Sequence, residues 1–337
     1  MTLNTQRPVQ CKGRDVRSMG DSGSKQSQAS HVEAVYRKQG YRLLGRNQHS
    51  AVKICRWTKE SLRANRVCYK ELWYPPVESH RCMQMTPSLG CNYHCRYCWR
   101  LHSGDRSKAT WREFPFKGMK LDDPREIVAE AVEARRTLLV GFQGNPRVDE
   151  ARVKEALRPT MMTMSLTGEP TLYPRISELI VEAGRRGMIT FLVTNGTMPE
   201  VLEAMDPLPF QLYVSVSAPD KGLHTTITRP LLRDGWERLN RTLRLLPSLE
   251  TRTVIRLTVI KGWNNTNHRG YAELIGKAEP NFIEVKAYEW VGASQKRLPK
   301  EAMPFMDDVR HFAERIAELT GYQIKAEYQP SGAILLA

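Results

Sequence analysis

Short apolar runs alternate with amphipathic stretches along most of the chain from about residue 79 onward. Apolar runs of strand length predict β-strands, and apolar residues spaced three and four positions apart predict helices. The predicted strands are 80–86, 161–167, 189–194, 211–217, 253–260 and 282–288. The predicted helices between them are 124–139, 174–187, 198–205, 234–247 and 268–278.

Strands that alternate with helices predict an α/β fold of βαβ units on a parallel sheet. Six such strands indicate a partial (β/α)6 barrel that is open on one side, with the chemistry at the C-terminal ends of its strands. A final helix at 303–319 and a strand at 322–328 follow. We divide the chain into a disordered tail at 1–30, a basic lead-in at 31–79, the barrel at 80–290 and a C-terminal helix and strand at 291–337.

The charge of the chain bears on its partners. The 337 residues carry a net charge of +15, and ten lysines and arginines lie between Arg37 and Lys70 against one acid, Glu60. Such a field attracts polyanions, although a solvated basic face has the same composition. No apolar run is long enough for a membrane helix, and residues 1–30 lack an apolar signal segment. We therefore expect a cytoplasmic protein.

Six of the seven cysteines lie between Cys55 and Cys98, and the seventh, Cys11, belongs to the tail. Cys91, Cys95 and Cys98 form Cys-x3-Cys-x2-Cys directly after the first predicted strand. Three thiolates on one loop can hold three irons of a [4Fe-4S] cluster and leave the fourth open to a chelating ligand such as S-adenosylmethionine (SAM). Structural zinc usually takes four protein ligands, so we favour the cluster over zinc.

The second predicted strand ends in the segment SLTGEP, residues 165–170. Gly168 permits a close approach of the backbone to a ligand, and Glu169 offers a carboxylate to an ammonium group. Pro170 also suits an ordinary helix start, which is the structural alternative. Further candidates for SAM contacts follow the next two strands, where each fits an ordinary turn or strand position equally well: Thr194, Asn195, Ser215 and Ser217.

The cysteine triplet, with Tyr97 before its last cysteine, resembles the signature of the radical SAM superfamily. In that superfamily a Gly-Gly-Glu-Pro element contacts the amino group of SAM, and here Thr167 replaces the first glycine. The resemblance implies that the cluster cleaves SAM reductively to methionine and a 5′-deoxyadenosyl radical, which abstracts hydrogen from a substrate. The protein then supplies position and a shielded site.

A closer resemblance covers roughly residues 41–290. The segments AVKICRW, RVCYKELWY, SHRCMQMTPSLGCNYHCRYCWR, VGFQGNPRVDE, SLTGEPTLYPRISELI and RPLLRDGWERLNRTLRLL are similar to archaeal 4-demethylwyosine synthases, which build the tricyclic wyosine base of tRNA. This resemblance implies a second [4Fe-4S] cluster on Cys55, Cys68 and Cys82, whose spacing alone would indicate scattered buried thiols. It also implies that Lys70 holds pyruvate, as a Schiff base or by charge alone; a surface lysine is the alternative.

The same resemblance implies a substrate, N1-methylguanosine at position 37 of tRNA-Phe, and pyruvate as the donor of two carbons. The methyl group would lose hydrogen, the carbon radical would add to the pyruvate carbonyl, and loss of the carboxylate and ring closure would follow. The base must leave the stack, which costs little in a single-stranded anticodon loop. Candidate phosphate contacts are Arg42, Arg46, Arg63, Arg66, Lys261 and His268.

Some eukaryotic relatives carry a flavodoxin-like domain, and nothing in this chain resembles one. We therefore expect an external electron donor, and we expect a monomer. Two other functions stay open from the residues. One is another radical SAM enzyme with an auxiliary cluster, such as a glycyl-radical activase or a peptide-modifying enzyme, which would lack the basic lead-in. The other is a non-catalytic zinc module that binds RNA.

Overall fold

The computed structural model describes residues 34–63, 66–102, 105 and 120–337. Over these residues ten strands form one mixed sheet. The strands are β1 (Arg42–Leu44), β2 (Ser50–Lys53), β3 (Cys82–Thr86), β4 (Met161–Met164), β5 (Ile189–Thr194), β6 (Gln211–Ser215), β7 (Arg252–Val259), β8 (Phe282–Ala287), β9 (Ile324–Tyr328) and β10 (Ala333–Leu336).

The six central strands, β3 to β8, are parallel and pair in chain order. This is the partial (β/α)6 barrel that the sequence predicts. The lead-in adds β1 and β2 antiparallel to β3, and the C-terminal segment inserts β10 between β8 and β9. The sheet is therefore extended by antiparallel strands at both edges and does not close.

Helices connect the strands, and the longer ones cover the outer face of the sheet. They are α1 (Arg56–Leu62), α2 (Tyr69–Trp73), α3 (Pro124–Leu139), α4 (Glu150–Ala156), α5 (Ile176–Arg185), α6 (Pro199–Glu203), α7 (Lys221–Thr228), α8 (Gly235–Leu245), α9 (His268–Ala278) and α10 (Met306–Thr320). In the described part of the chain, none is long and apolar enough to cross a membrane.

Every predicted strand and helix is confirmed, with ends that differ by at most three residues. The longest, α3, begins and ends as predicted, because Asp123 caps it and Pro124 occupies its first turn. The sequence pattern does not predict β1, β2, β10, α1, α2, α4 or α7. Each has three to eight residues, and none shows a clear apolar period over that length.

The two faces of the central strands differ in polarity. Residues such as Met83, Met162 and Leu212 face the helices and form the main core. Because side chains alternate along a strand, their neighbours face the barrel interior. Many of these are polar: Gln84, Thr163, Ser165, Tyr213, Ser215, Arg256 and Glu284. An apolar cluster that includes Met161, Phe191 and Val254 fills part of the interior. The polar side chains line the rest, which is suited to a polar substrate.

Candidate active site

The loop with Cys91, Cys95 and Cys98 follows β3 at the C-terminal end of the barrel strands. It is fastened to α7, because the backbone N–H of Arg96 donates to the carbonyl of Ile227 at 2.8 Å and that of His94 to Thr228 at 3.0 Å. All three cysteines are free thiols. The loop is thus held by backbone contacts that leave its sulfur atoms available.

Gly168 brings the end of β4 directly against the start of this loop. Its φ is +71°, and a Cβ at this position would lie 1.9 Å from the carbonyl oxygen of Ser88 and 2.7 Å from that of Gly90. The N–H of Glu169 donates to the same Gly90 carbonyl at 2.8 Å. A side chain at position 168 would therefore force the two segments apart.

The carboxylate of Glu169 is buried and held by its neighbours. Its Oε1 accepts hydrogen bonds from Thr194 Oγ1 at 2.7 Å and from both the N–H and the hydroxyl of Thr171 at 3.1 and 2.6 Å. Its Oε2 accepts one, from the N–H of Asn195 at 2.7 Å. Burial raises the pKa of Glu169, although these hydrogen bonds oppose the rise. Since each carboxylate oxygen has two acceptor sites, Oε2 retains capacity for an ammonium group.

One cavity brings together the residues that the sequence suggests for SAM. It is lined by the three cysteines and by Gly168, Glu169, Pro170, Thr194, Asn195, Ser215 and Ser217. Tyr97 and His224 also line it. The hydroxyl of Tyr97 lies 2.5 Å from that of Ser217, and His224 Nε2 lies 3.0 Å from the hydroxyl of Tyr93. The sequence pattern misses His224, because it lies on α7, a helix of eight residues.

The other three cysteines meet at the opposite end of β3, around Ser79. Cys82 is the first residue of that strand, and Cys55 is the N-cap of α1, with its Sγ accepting from the N–H of Thr58 at 3.3 Å. The Thr58 hydroxyl donates to the Ser79 carbonyl at 2.8 Å, and the N–H of Cys68 donates to the Ser79 hydroxyl at 2.7 Å. Ser79 therefore joins the three cysteine segments, which no local pattern predicts.

The chemistry of both cysteine sets fits an iron–sulfur cluster. Burial, and then the adjacent Cys55 thiol, raise the pKa of Cys68 to about 12 and that of Cys82 to about 11. Burial raises the pKa of Cys91 to about 12. Three crowded thiols with such values need metal cations to be stable as thiolates, and soft sulfur ligands favour iron–sulfur clusters.

Lys70 projects from α2 into the barrel interior and is 8% exposed. Its Nζ lies 4.7 Å from the ring centroid of Phe191 and 4.3 Å from that of Tyr213. Burial, and then the charge of Arg256, lower the pKa of Lys70 to about 8. The alternative of an ordinary surface lysine is therefore wrong.

Buried polar groups surround this lysine. Glu284 is fully buried and accepts hydrogen bonds from the hydroxyls of Tyr69 and Tyr74, each at 2.9 Å. The guanidinium of Arg256 pairs with Glu284 at 2.8 Å and donates to the Tyr69 hydroxyl at 3.0 Å. Because Tyr69 precedes Lys70 in α2, this network ties the helix to β7 and β8.

The six candidate phosphate contacts do not form one cluster. Four of them are exposed: Arg42, Arg46, Arg63 and Arg66. Arg46 lies between β1 and β2, near the C-terminal end of β3, whereas Arg63 and Arg66 follow α1 at the N-terminal end of β3. Lys261 pairs with Asp308 at 2.9 Å, and the half-buried His268 ring packs on Phe312. These contacts stay predictions, and Cys11 lies outside the described residues.

Comparisons with known proteins bear on this site. Residues 85–275 match the model of the radical SAM superfamily, and residues 277–337 match that of wyosine base formation. The chain is similar to the S-adenosyl-L-methionine-dependent tRNA 4-demethylwyosine synthase of Pyrococcus horikoshii, with 46% identity over 314 residues, 90% of this chain and 88% of that protein. The synthase of Oryza sativa is 40% identical over 94% of this chain, which spans 48% of that protein.

Two solved structures resemble the whole fold. One is a structure of TYW1 with a lysine–pyruvate adduct bound, at 33% identity and a TM-score of 0.79, which covers 91% of this chain and 95% of that one. The other is a crystal structure of archaeal TYW1, at 30% identity and a TM-score of 0.72, with the same coverage of both chains.

Proposed function

This chain is a radical SAM enzyme of the tRNA 4-demethylwyosine synthase family, and from that premise we propose that it converts N1-methylguanosine at position 37 of tRNA-Phe to 4-demethylwyosine with two carbons from pyruvate. SAM and one [4Fe-4S] cluster are the cofactors of its superfamily. A non-catalytic zinc module is wrong for this chain, because its relatives are enzymes.

The buried position of Lys70 carries the proposal. Its amine lies in the barrel interior, in the electrostatic reach of Cys68 and Cys82, and no ion pair of this amine is recorded among the described residues. A desolvated amine is a nucleophile toward a keto-acid carbonyl. A solved relative holds a lysine–pyruvate adduct, which supports the same role for Lys70.

The cavity at the C-terminal end of the strands would hold the first cluster and SAM. Cys91, Cys95 and Cys98 would ligate the cluster, and the free acceptor site of Glu169 Oε2 would receive the ammonium group of SAM. Bound there, cluster and SAM supply a 5′-deoxyadenosyl radical, with methionine as the other product. The polar residues that line the same cavity would orient SAM: Thr194, Asn195, Ser215 and Ser217.

Cys55, Cys68 and Cys82 would hold a second [4Fe-4S] cluster, whose fourth iron, without a cysteine ligand, would be open to the carboxylate of pyruvate. Lys70 fixes the carbonyl carbon of pyruvate in the interior between the two cysteine sets. The methylated base enters from the C-terminal end, where Arg46 and Lys261 are exposed. Electrons come from a separate protein, and the enzyme acts as a monomer.

Anaerobic turnover tests this function. Reconstituted enzyme is incubated with tRNA that bears N1-methylguanosine, SAM, dithionite and carbon-labelled pyruvate, and the nucleosides are analysed by mass spectrometry. We expect the label in a tricyclic nucleoside, and none when the tRNA carries unmethylated guanosine. Cleavage of SAM with the methylated nucleoside left unchanged would contradict the proposal and favour a different radical SAM reaction.

A further inference from the structure

Arg297 fastens the C-terminal segment to the first cysteine loop. Its guanidinium donates to the backbone carbonyls of Cys95 at 2.7 Å, Cys98 at 2.9 Å and Arg100 at 2.6 Å. Its side chain is 8% exposed and lies 3.5 Å from Asp105. The N–H of Ala293 donates to the Trp99 carbonyl at 3.0 Å, so residues 293–297 bind four carbonyls of this loop.

Arg135 occupies an equivalent position at the second cysteine set. It lies on α3, is 1% exposed, and donates to the carbonyls of His80 at 2.6 Å and Cys82 at 3.3 Å, and to that of Ala156. Arg100 is a buried arginine within the first loop, but Arg297 and Arg135 each reach the backbone of one cysteine segment from outside it. The two arginines come from elements far apart in the sequence.

The charge of Arg135 points to an anionic neighbour. Among the described residues, no carboxylate forms an ion pair with it, and its hydrogen bonds go to three backbone carbonyls, one of them that of Cys82. A buried guanidinium without a counterion costs several kcal/mol, whereas three thiolates on a cluster would supply negative charge. Arg297 has one acid, Asp105, at the longer distance of 3.5 Å. Both charges are therefore placed to act on bound clusters.

We propose that Arg297 and Arg135 are positioning residues that hold the two cysteine segments and set the reduction potential of the cluster on each. The part that concerns Arg135 rests on the second cluster of the proposed function. A fixed positive charge stabilises the reduced, more negative state of a cluster and so raises its potential. The donated hydrogen bonds, in turn, keep each segment in the shape that presents its sulfurs.

A crossed experiment tests this assignment. One background replaces Cys55, Cys68 and Cys82 with Ala, and the other replaces Cys91, Cys95 and Cys98, so that each protein can hold one cluster. Arg297→Gln, Arg135→Gln, Arg297→Lys and Arg135→Lys are made in both. Iron content and the midpoint potential, from a dithionite titration followed by EPR, are measured after anaerobic reconstitution.

We expect Arg297→Gln to make the cluster on Cys91, Cys95 and Cys98 about tenfold harder to reduce, a shift of about −59 mV for one electron, and to leave the other cluster unchanged. Arg135→Gln should shift the potential of the cluster on Cys55, Cys68 and Cys82 by the same amount and leave the first cluster unchanged. The lysine variants keep the positive charge, so their midpoint potentials should stay close to that of the parent with arginine. They lose iron to a chelator several-fold faster than the parent, because one ammonium cannot replace a guanidinium that donates to three carbonyls.

Arg136→Gln is the matched charge control. Arg136 is next to Arg135 in the sequence, but its side chain is exposed and donates to the Leu157 carbonyl. The substitution therefore removes one positive charge close to Arg135 without touching the cysteine segment. It should shift neither potential. Equal shifts of both clusters in every arginine variant, or unshifted potentials at full iron content, would overturn the assignment. If the background without Cys91, Cys95 and Cys98 binds no iron, the second cluster and the role of Arg135 both fail, while the result for Arg297 stands.

Discussion

Among single residues, Glu169 combines two tasks in one carboxylate. Its Oε1 is occupied by three donors that shape the loop after β4, while its Oε2 has one donor, and the residue lines the cavity of the first cysteine set. Glu169→Gln keeps the size of the side chain but removes the charge that an ammonium group needs.

We expect Glu169→Gln to weaken SAM binding about tenfold, or about 1.4 kcal/mol, because hydrogen bonds to charged groups contribute about 1.5–3 kcal/mol. Equilibrium dialysis of anaerobic, iron-loaded protein measures the dissociation constant. The iron content serves as the control and should not change. An unchanged SAM affinity at full iron content would mean that Glu169 acts on the loop alone.

Lys70 and Lys286 form a matched pair for testing the pyruvate site. Both lie near Cys68, but Lys70 is buried, whereas Lys286 is half-buried and donates to the Ser331 carbonyl at 2.9 Å. Borohydride reduction with labelled pyruvate should attach label to the wild-type protein and to Lys286→Gln, but not to Lys70→Gln. Label on Lys70→Gln would place the adduct on another lysine, and mass spectrometry of tryptic peptides identifies the residue.

The sequence predicts those site residues that lie in local patterns. Cys91, Cys95 and Cys98 share one loop, and Gly168 and Glu169 follow the next strand, so spacing and element order bring them together. Ser79, His224 and Arg297 have no such pattern, because they act through contacts across as many as 202 residues or lie on short elements. Such residues can be found only when the packing is known.

At the scale of elements, the Arg256–Glu284 pair joins β7 to β8 inside the barrel. Burial alone would raise the pKa of Glu284, but the charges of Arg256 and Lys70, with the hydrogen bonds from Arg256 and Tyr69, together outweigh it, and the pKa is lower than usual. Glu284→Gln should cost about 3 kcal/mol of unfolding free energy, because it leaves a buried guanidinium without its counterion. Anaerobic urea denaturation at pH 7 measures this loss.

The same pair gives the stability a defined pH dependence. A carboxyl whose pKa is lowered by folding stabilises the protein above its unfolded pKa, and this stabilisation is lost as the pH falls through the folded value. The difference between wild type and Glu284→Gln should therefore shrink below about pH 4.5, the usual value for Glu. A difference that is constant with pH would show that the cost comes from packing.

The elements that the sequence predicts are those whose apolar pattern is long enough. The strands β3 to β8 and helices such as α3 and α9 carry this pattern within themselves. The short strands β1, β2 and β10 are stable because a neighbouring strand accepts their hydrogen bonds. Their formation depends on partners that are distant in sequence, which a local pattern cannot supply.

At the scale of the whole molecule, the net charge of +15 should make tRNA binding sensitive to salt. If Arg46 and Lys261, exposed at the end where the base enters, each neutralise one phosphate of a single-stranded loop, a fourfold rise in salt lowers the binding constant about sevenfold. Filter binding between 50 and 200 mM salt, values chosen to span that rise, gives the slope. Arg46→Gln should reduce the slope by about 0.7, and an unchanged slope would remove Arg46 from the interface.

The contact between Arg297 and the cysteine loop also has a consequence in time. Arg297 lies 202 residues after Cys95. At a synthesis rate of about 5–20 residues per second, the ribosome reaches it about 10–40 s after it has made the cysteine. During that interval the loop carries bare thiols without the segment that fastens it. Reducing conditions while the chain is growing therefore help to decide how much of the enzyme can later take up its cluster.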